Sequence, residues 1–221
     1  PVRSRRERTG LFLFVVVGGC FSDSAQALGW ETFLRLTHTD PGRLAAWSRR
    51  RLQARTAAAL EAVQAGADGV VVADDLAHQT GTFADPRVLR RHFFPLLGEM
   101  VSRFRDRVPV FLHSDGCLDA ILPDIVDMGF DGLHPLEPGA GMSPPRVGEA
   151  TGWRLALMGG IDPITLATDD AGLVRGAVRA ALPPRRQGRY LAGTAWGFPD
   201  DSVDPGRLLT LYRIIAEETG D

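Results

Sequence analysis

Val108-Pro109-Val110-Phe111-Leu112-His113-Ser114-Asp115-Gly116 is the stretch on which the reading of the fold turns. A short apolar run with no polar alternation reads as a strand buried on both faces, as in a parallel sheet. The abrupt change to His-Ser-Asp-Gly marks the strand's C-terminal end. The same unit recurs along the chain. Leu11–Val17 ends in Gly18-Gly19, Gly69–Ala73 in Asp74-Asp75, and Gly132–Leu133 in His134-Pro135 with Glu137. Leu155–Met158 ends in Gly159-Gly160 with Asp162, and Tyr190–Ala192 in Gly193-Thr194 with Trp196.

Helical patterns separate these strands. Leu44–Ala65 is long, Ala-rich and amphipathic, and stops at Gly66. Asp85-Pro86, Ser143-Pro144, Asp162-Pro163 and Asp204-Pro205 read as helix starts. In each, the side chain caps an orphan N–H and proline occupies the position where a missing N–H costs nothing. Pro95 is expected to divide the Pro86–Arg107 region into two helices. Asp119–Met128, Leu173–Leu182 and Arg207–Glu218 complete the helical set.

Strict alternation of strand and helix implies a parallel sheet. No strand is followed by G-x-G-x-x-G or by a phosphate loop, so a dinucleotide-binding open sheet is disfavoured. A closed barrel instead gathers every strand end at one mouth, where the active sites of such folds lie. The fold class expected is therefore α/β, a (β/α)8 TIM barrel. The chain supplies about the last six units of roughly eight. Residues 1–221 are read as a single, N-terminally truncated barrel domain, with two units expected before Pro1. Open strand edges predict aggregation or a homodimer.

With 44% hydrophobic and 24% charged residues, the composition is that of an ordinary globular domain. A net charge of -2 offers no global field for nucleic acid or an anionic membrane. Cys20 and Cys117 form neither a disulfide framework nor a zinc ribbon, which leads us to expect a cytoplasmic protein. The opening Arg3-Ser4-Arg5-Arg6-Glu7-Arg8, the apolar Leu11–Val17 and Gly18-Gly19-Cys20 imitate a secretory signal. The short, β-branched run and its recurrence downstream favour a buried strand. The chain has no lysine, which excludes Schiff-base chemistry by its residues.

His113 and Asp115 are two apart, so they share a strand face if the extended geometry persists. A carboxylate beside an imidazole suits general acid–base work or metal ligation. Of Asp74 and Asp75, adjacent in a strand, at most one enters the mouth; Asp75 is preferred as an acid–base group. Asp74, His78, His134, Glu137 and Trp196 are candidate substrate contacts, Trp196 by stacking on a ring. Asp162 reads as a helix cap, and His38 and His92 as structural. No metal or cofactor is expected; were a metal held, His113 and Asp115 would hold it.

Gly18-Gly19-Cys20-Phe21, Gly66-Ala67-Asp68-Gly69 with Asp74-Asp75, and Phe111-Leu112-His113-Ser114-Asp115-Gly116 resemble, in order and spacing, the uroporphyrinogen decarboxylase superfamily. Asp85-Pro86, Met158-Gly159-Gly160-Ile161-Asp162 and the loop before Asp204-Pro205 extend the resemblance over nearly the whole chain. It implies a (β/α)8 barrel and either of two activities. One is cofactor-free decarboxylation of a tetrapyrrole or other polycarboxylate or aromatic acid. The other is zinc-dependent methyl transfer with a corrinoid on a partner protein. The family's His-x-Cys zinc pattern appears here as His113-Ser114-Asp115, and no Cys lies near Trp196, which weighs against thiolate-held zinc. The reading adopted from sequence is a decarboxylase-type lyase, with methyl transfer and a non-catalytic ligand-binding barrel as alternatives.

Overall fold

The computed structural model describes residues 8–168, 170–184, 189–195 and 204–220. Six strands make one parallel sheet in chain order: β1 (Phe14–Gly18), β2 (Gly69–Ala73), β3 (Val110–His113), β4 (Gly132–His134), β5 (Ala156–Ile161) and β6 (Tyr190–Thr194). Each strand pairs with the next, so the sheet runs without a switch in order and leaves β1 and β6 as edges. This is the strand arrangement of a (β/α)8 barrel, here as a partial barrel.

Helices fill the connections. α1 (Ser22–Leu28), α2 (Trp30–Thr39) and α3 (Pro41–Gln64) follow β1. After β2 comes a small hairpin pairing Ala77–His78 with Gly81–Thr82. α4 (Pro86–Val88) then runs through a π-helical turn (Leu89–Phe93) into α5 (Phe94–Ser102). α6 (Leu122–Asp127), α7 (Pro144–Thr151), α8 (Ala171–Ala181) and α9 (Pro205–Thr219) follow the later strands.

The central strands β2 and β3 bury both faces, in keeping with their unbroken apolar runs. Val70, Val72, Val110, Leu112, Leu133 and Leu157 point to the helices and join the main core with Phe33, Phe93 and Leu97. Each such side chain contributes about 1.5–3 kcal/mol on burial. The alternate positions Val71 and Phe111 are also buried but lie outside that cluster, on the barrel's inner face. There Phe14 packs edge-on against Phe111 at 5.3 Å. Gly132 leaves room for the Phe111 ring, since a Cβ there would lie 2.3 Å from it.

Several boundaries differ from the sequence expectation. β1 begins at Phe14 rather than Leu11, and the Leu13 carbonyl accepts from Asp68 N and Gly69 N at the start of β2. Gly159 and Gly160 lie inside β5 rather than after it, both with left-handed φ. Gly159 N–Cα–C approaches Pro135 so closely that a Cβ would lie 2.1 Å from its carbonyl oxygen. Pro95 stands in the first turn of α5, and the region holds two α-helices as expected, with the π-helical turn Leu89–Phe93 joining them. Asp85, Asp162 and Asp204 cap as expected, whereas Ser143 makes no capping bond and Asp162 starts a 3-10 turn (Pro163–Ala167). Among the described residues no helix is long and apolar enough to cross a membrane.

Candidate functional site

The C-terminal ends of β2, β3 and β4 converge. Register pairs Ala73 with His113 and His113 with His134, so these positions share the inner face. Two residues beyond Ala73 and His113, on that same face, come Asp75 and Asp115. One donor atom from each of Asp75, His113 and Asp115 lies within 4.8 Å of the others.

Contacts within the cluster are direct. His113 Nε2 lies 3.7 Å from Asp75 Oδ1. The Asp115 N–H donates to Asp75 Oδ1 at 3.3 Å. His113 Nδ1 and His134 Nδ1 are 2.7 Å apart, a hydrogen bond in which one nitrogen donates and the other accepts. Glu137 Oε2 accepts from Gly116 N at 3.0 Å, bringing a third carboxylate to the rim.

The electrostatics follow from this crowding. Burial raises the Asp115 carboxyl above its ordinary range, and the charges of Asp75 and Glu137 push the same way; only His113 opposes them. Asp115 Oδ1 is buried without a hydrogen-bond partner among the described residues. A buried acceptor left unmatched costs about 1–3 kcal/mol. Burial, aided by His113, lowers His134 to about 4, so its imidazole is neutral near pH 7.

The remaining candidates fall into different places. Asp74 is completely buried, pointing away from the inner face. Its oxygens accept from the N–H groups of Cys20, Phe21 and Ser22 at 2.7–3.1 Å, at the start of α1. The substrate-contact expectation for Asp74 is therefore corrected to a structural role: the carboxylate is fully buried and both of its oxygens are engaged by backbone N–H groups. His78 is exposed on the hairpin, its ring near Phe83 at 5.3 Å and its Nδ1 3.3 Å from Thr80 Oγ1. Its backbone adjoins the site, since its carbonyl accepts from Cys117 N. Glu137 and His134 belong to the cluster. Trp196 lies outside the described residues.

Two positioning residues escaped the sequence reading. Ser114 is buried, accepts from Leu76 N and donates to the Asp115 carbonyl, tying β3's end to the loop after β2. Gly116 has φ +82, and a Cβ there would lie 2.5 Å from the His78 carbonyl oxygen. A Gly directly after a polar strand end was the available signal for the second; nothing marked the first.

An Asp–His–Asp donor set is a carboxylate and imidazole environment, suited to borderline or hard divalent cations. The unmatched Asp115 oxygen and the mutual repulsion of three carboxylates are what a bound cation would relieve, so the residues fit one. Among the described residues no cysteine joins the group of Asp75, His113 and Asp115. Cys20 is buried with its thiol toward the Phe93 carbonyl, and Asp115 occupies the position two beyond His113.

The family model described as uroporphyrinogen decarboxylase (URO-D) matches residues 3–208. Among solved structures, a methyltransferase from Methanosarcina mazei superposes with a TM-score of 0.75 at 22% identity, over 98% of this chain and 62% of that one. At that identity the likeness is one of fold, and the chain spans less than two thirds of the methyltransferase. A dihydropteroate synthase from Xanthomonas albilineans, solved with 4-aminobenzoic acid, gives a TM-score of 0.47 at 17% identity, over 93% of this chain and 68% of that one. No curated protein matches the sequence.

Proposed function

The chain belongs to the uroporphyrinogen decarboxylase family, and on that premise we propose that it is an enzyme of cation-assisted group transfer, of the methyl-transfer type, centred on Asp75, His113 and Asp115. The observation that carries this reading is the electrostatic character of Asp115. Its neighbours are two more carboxylates and one imidazole, and its buried Oδ1 has no partner among the described residues. A polycarboxylate substrate brought to such a site meets like charges. A cation, or a cationic group on a substrate, meets compensation.

In this reading His113 Nε2 and one oxygen each of Asp75 and Asp115 hold the divalent cation. When bound, such a cation would supply Lewis acidity toward a substrate heteroatom. The chain's own residues set the stage for that chemistry. Asp75 is held by the Asp115 N–H, and Asp115 by Ser114 through its backbone carbonyl. Glu137 fixes the turn at Gly116 and keeps a second acceptor at the rim. The methyl partner expected for this branch is a corrinoid carried by a separate protein.

Decarboxylation is the second reading, and it rests on the same residue. Burial and two like charges favour protonated Asp115, and a neutral carboxylic acid can deliver its proton to a developing carbanion. The two readings separate on chelation. After exhaustive EDTA treatment the protein is expected to lose methyl transfer and to recover it on adding zinc or manganese. Porphyrinogen or aromatic-acid decarboxylation that persists undiminished in EDTA would move the assignment to the second reading.

A further inference from the structure

We infer that His134 is the positioning residue of the site: in the cation-loaded protein its Nδ1 accepts the Nδ1–H of His113, which leaves His113 Nε2 bare toward Asp75 and Asp115. The inference rests on the proposed cation site. It follows from the geometry of the two rings. Neighbours in register on β3 and β4 place both imidazoles on the inner face, with Nδ1 2.7 Å from Nδ1. At that distance a single proton must lie between them, because two lone pairs or two N–H groups would repel.

Two tautomeric arrangements satisfy the pair. If His134 donates, His113 carries its other proton on Nε2, aimed at Asp75 Oδ1 at 3.7 Å. If His113 donates, its Nε2 lone pair faces the carboxylates. The second arrangement is repulsive on its own and becomes favourable when a cation stands between the lone pair and the acids. A ligating imidazole ordinarily donates its other N–H to a carboxylate, a carbonyl or water, which fixes its ring and raises its basicity. Here a second imidazole takes that place. It orients His113 without adding a fourth negative charge to Asp75, Asp115 and Glu137.

The test compares zinc and manganese affinity, by calorimetric titration of the EDTA-treated protein, among wild type, His134→Asn and His134→Leu. The Asn side chain can keep an oxygen acceptor near the Nδ1 position; Leu cannot. His134→Leu is expected to weaken binding about 10- to 100-fold, the usual effect of removing such a partner, with His134→Asn restored to within a few-fold of wild type. Equal affinity in His134→Leu and wild type overturns the inference while leaving the cation site standing. Absence of binding in wild type overturns both. Should His134→Leu fail to fold, the ring nitrogens of zinc-loaded wild type decide by 15N NMR: a protonated Nδ1 on His113 with a bare Nδ1 on His134 supports the inference, and the reverse assignment refutes it.

Discussion

Asp74 and Asp75 are sequence neighbours that serve opposite faces of β2's end. Alternation along a strand lets only one of the pair face the mouth, and the sequence carried that much. It could not say which, because Gly69–Ala73 is apolar throughout and has no polar alternation to mark the inner face. The fully buried Asp74 instead receives three backbone N–H groups at the start of α1. Asp74→Ala strands those donors and is expected to cost about 2–5 kcal/mol, since each buried unmatched donor costs about 1–3 kcal/mol. A urea midpoint unchanged from wild type would contradict this role.

The pH dependence of stability at residue level has two opposed parts. Burial raises the Asp74 carboxyl from 3.8 to about 6. Between those values the folded state holds more proton than the unfolded, so this contribution is greatest below 3.8 and is lost as pH rises through 6. His134 is lowered from 6.5 to about 4, so its contribution is present above 6.5 and lost as pH falls toward 4. In wild type the two slopes oppose each other. Asp74→Asn removes the first, so its stability relative to wild type should rise as pH climbs from 4 to 6.5. Urea melts at several pH values check this; a constant difference between the two proteins counts against it.

At the scale of elements, the strands were legible because parallel strands buried on both faces are continuous apolar runs. Their polar ends were legible because the chain leaves the sheet there. The connections were less so. The helices Ser22–Leu28 and Trp30–Thr39 and the Ala77–Thr82 hairpin went unread, because short amphipathic pieces in a long connection carry little period. The π-helical turn before Pro95 was also hidden, since nothing local distinguishes a strained turn from a break. Gly116 joins two of these elements at their tightest approach. Gly116→Ala forces a side chain onto φ +82 and against the His78 backbone. It is expected to cost roughly 1–3 kcal/mol and to weaken cation binding through displacement of Asp115. Wild-type affinity and wild-type thermal midpoint together in that variant would remove Gly116 from the account.

For the whole molecule, the open sheet is the dominant fact. Among the described residues β1 and β6 are the edges of the sheet, and Val16 and Leu191 on them are 64% and 44% exposed. Phe12, Phe14, Phe111 and Leu191 border a cavity of about 620 Å³ between those edges. A closed barrel of this class has roughly eight strands, and paired edges would cover that apolar surface. The 221-residue chain is therefore expected to self-associate through those edges. Light scattering checks this; a monodisperse, cooperatively melting monomer would overturn it.

The central claim is that the ends of β2, β3 and β4 build one cation site from Asp75, His113 and Asp115. Its most direct test is the metal content of the purified protein by elemental analysis, beside its His113→Ala and Asp115→Asn variants. The account predicts close to one divalent metal ion per chain in wild type and its loss in both folded variants. A wild-type protein that holds no metal even after incubation with zinc or manganese, or variants that hold as much as wild type, would contradict it.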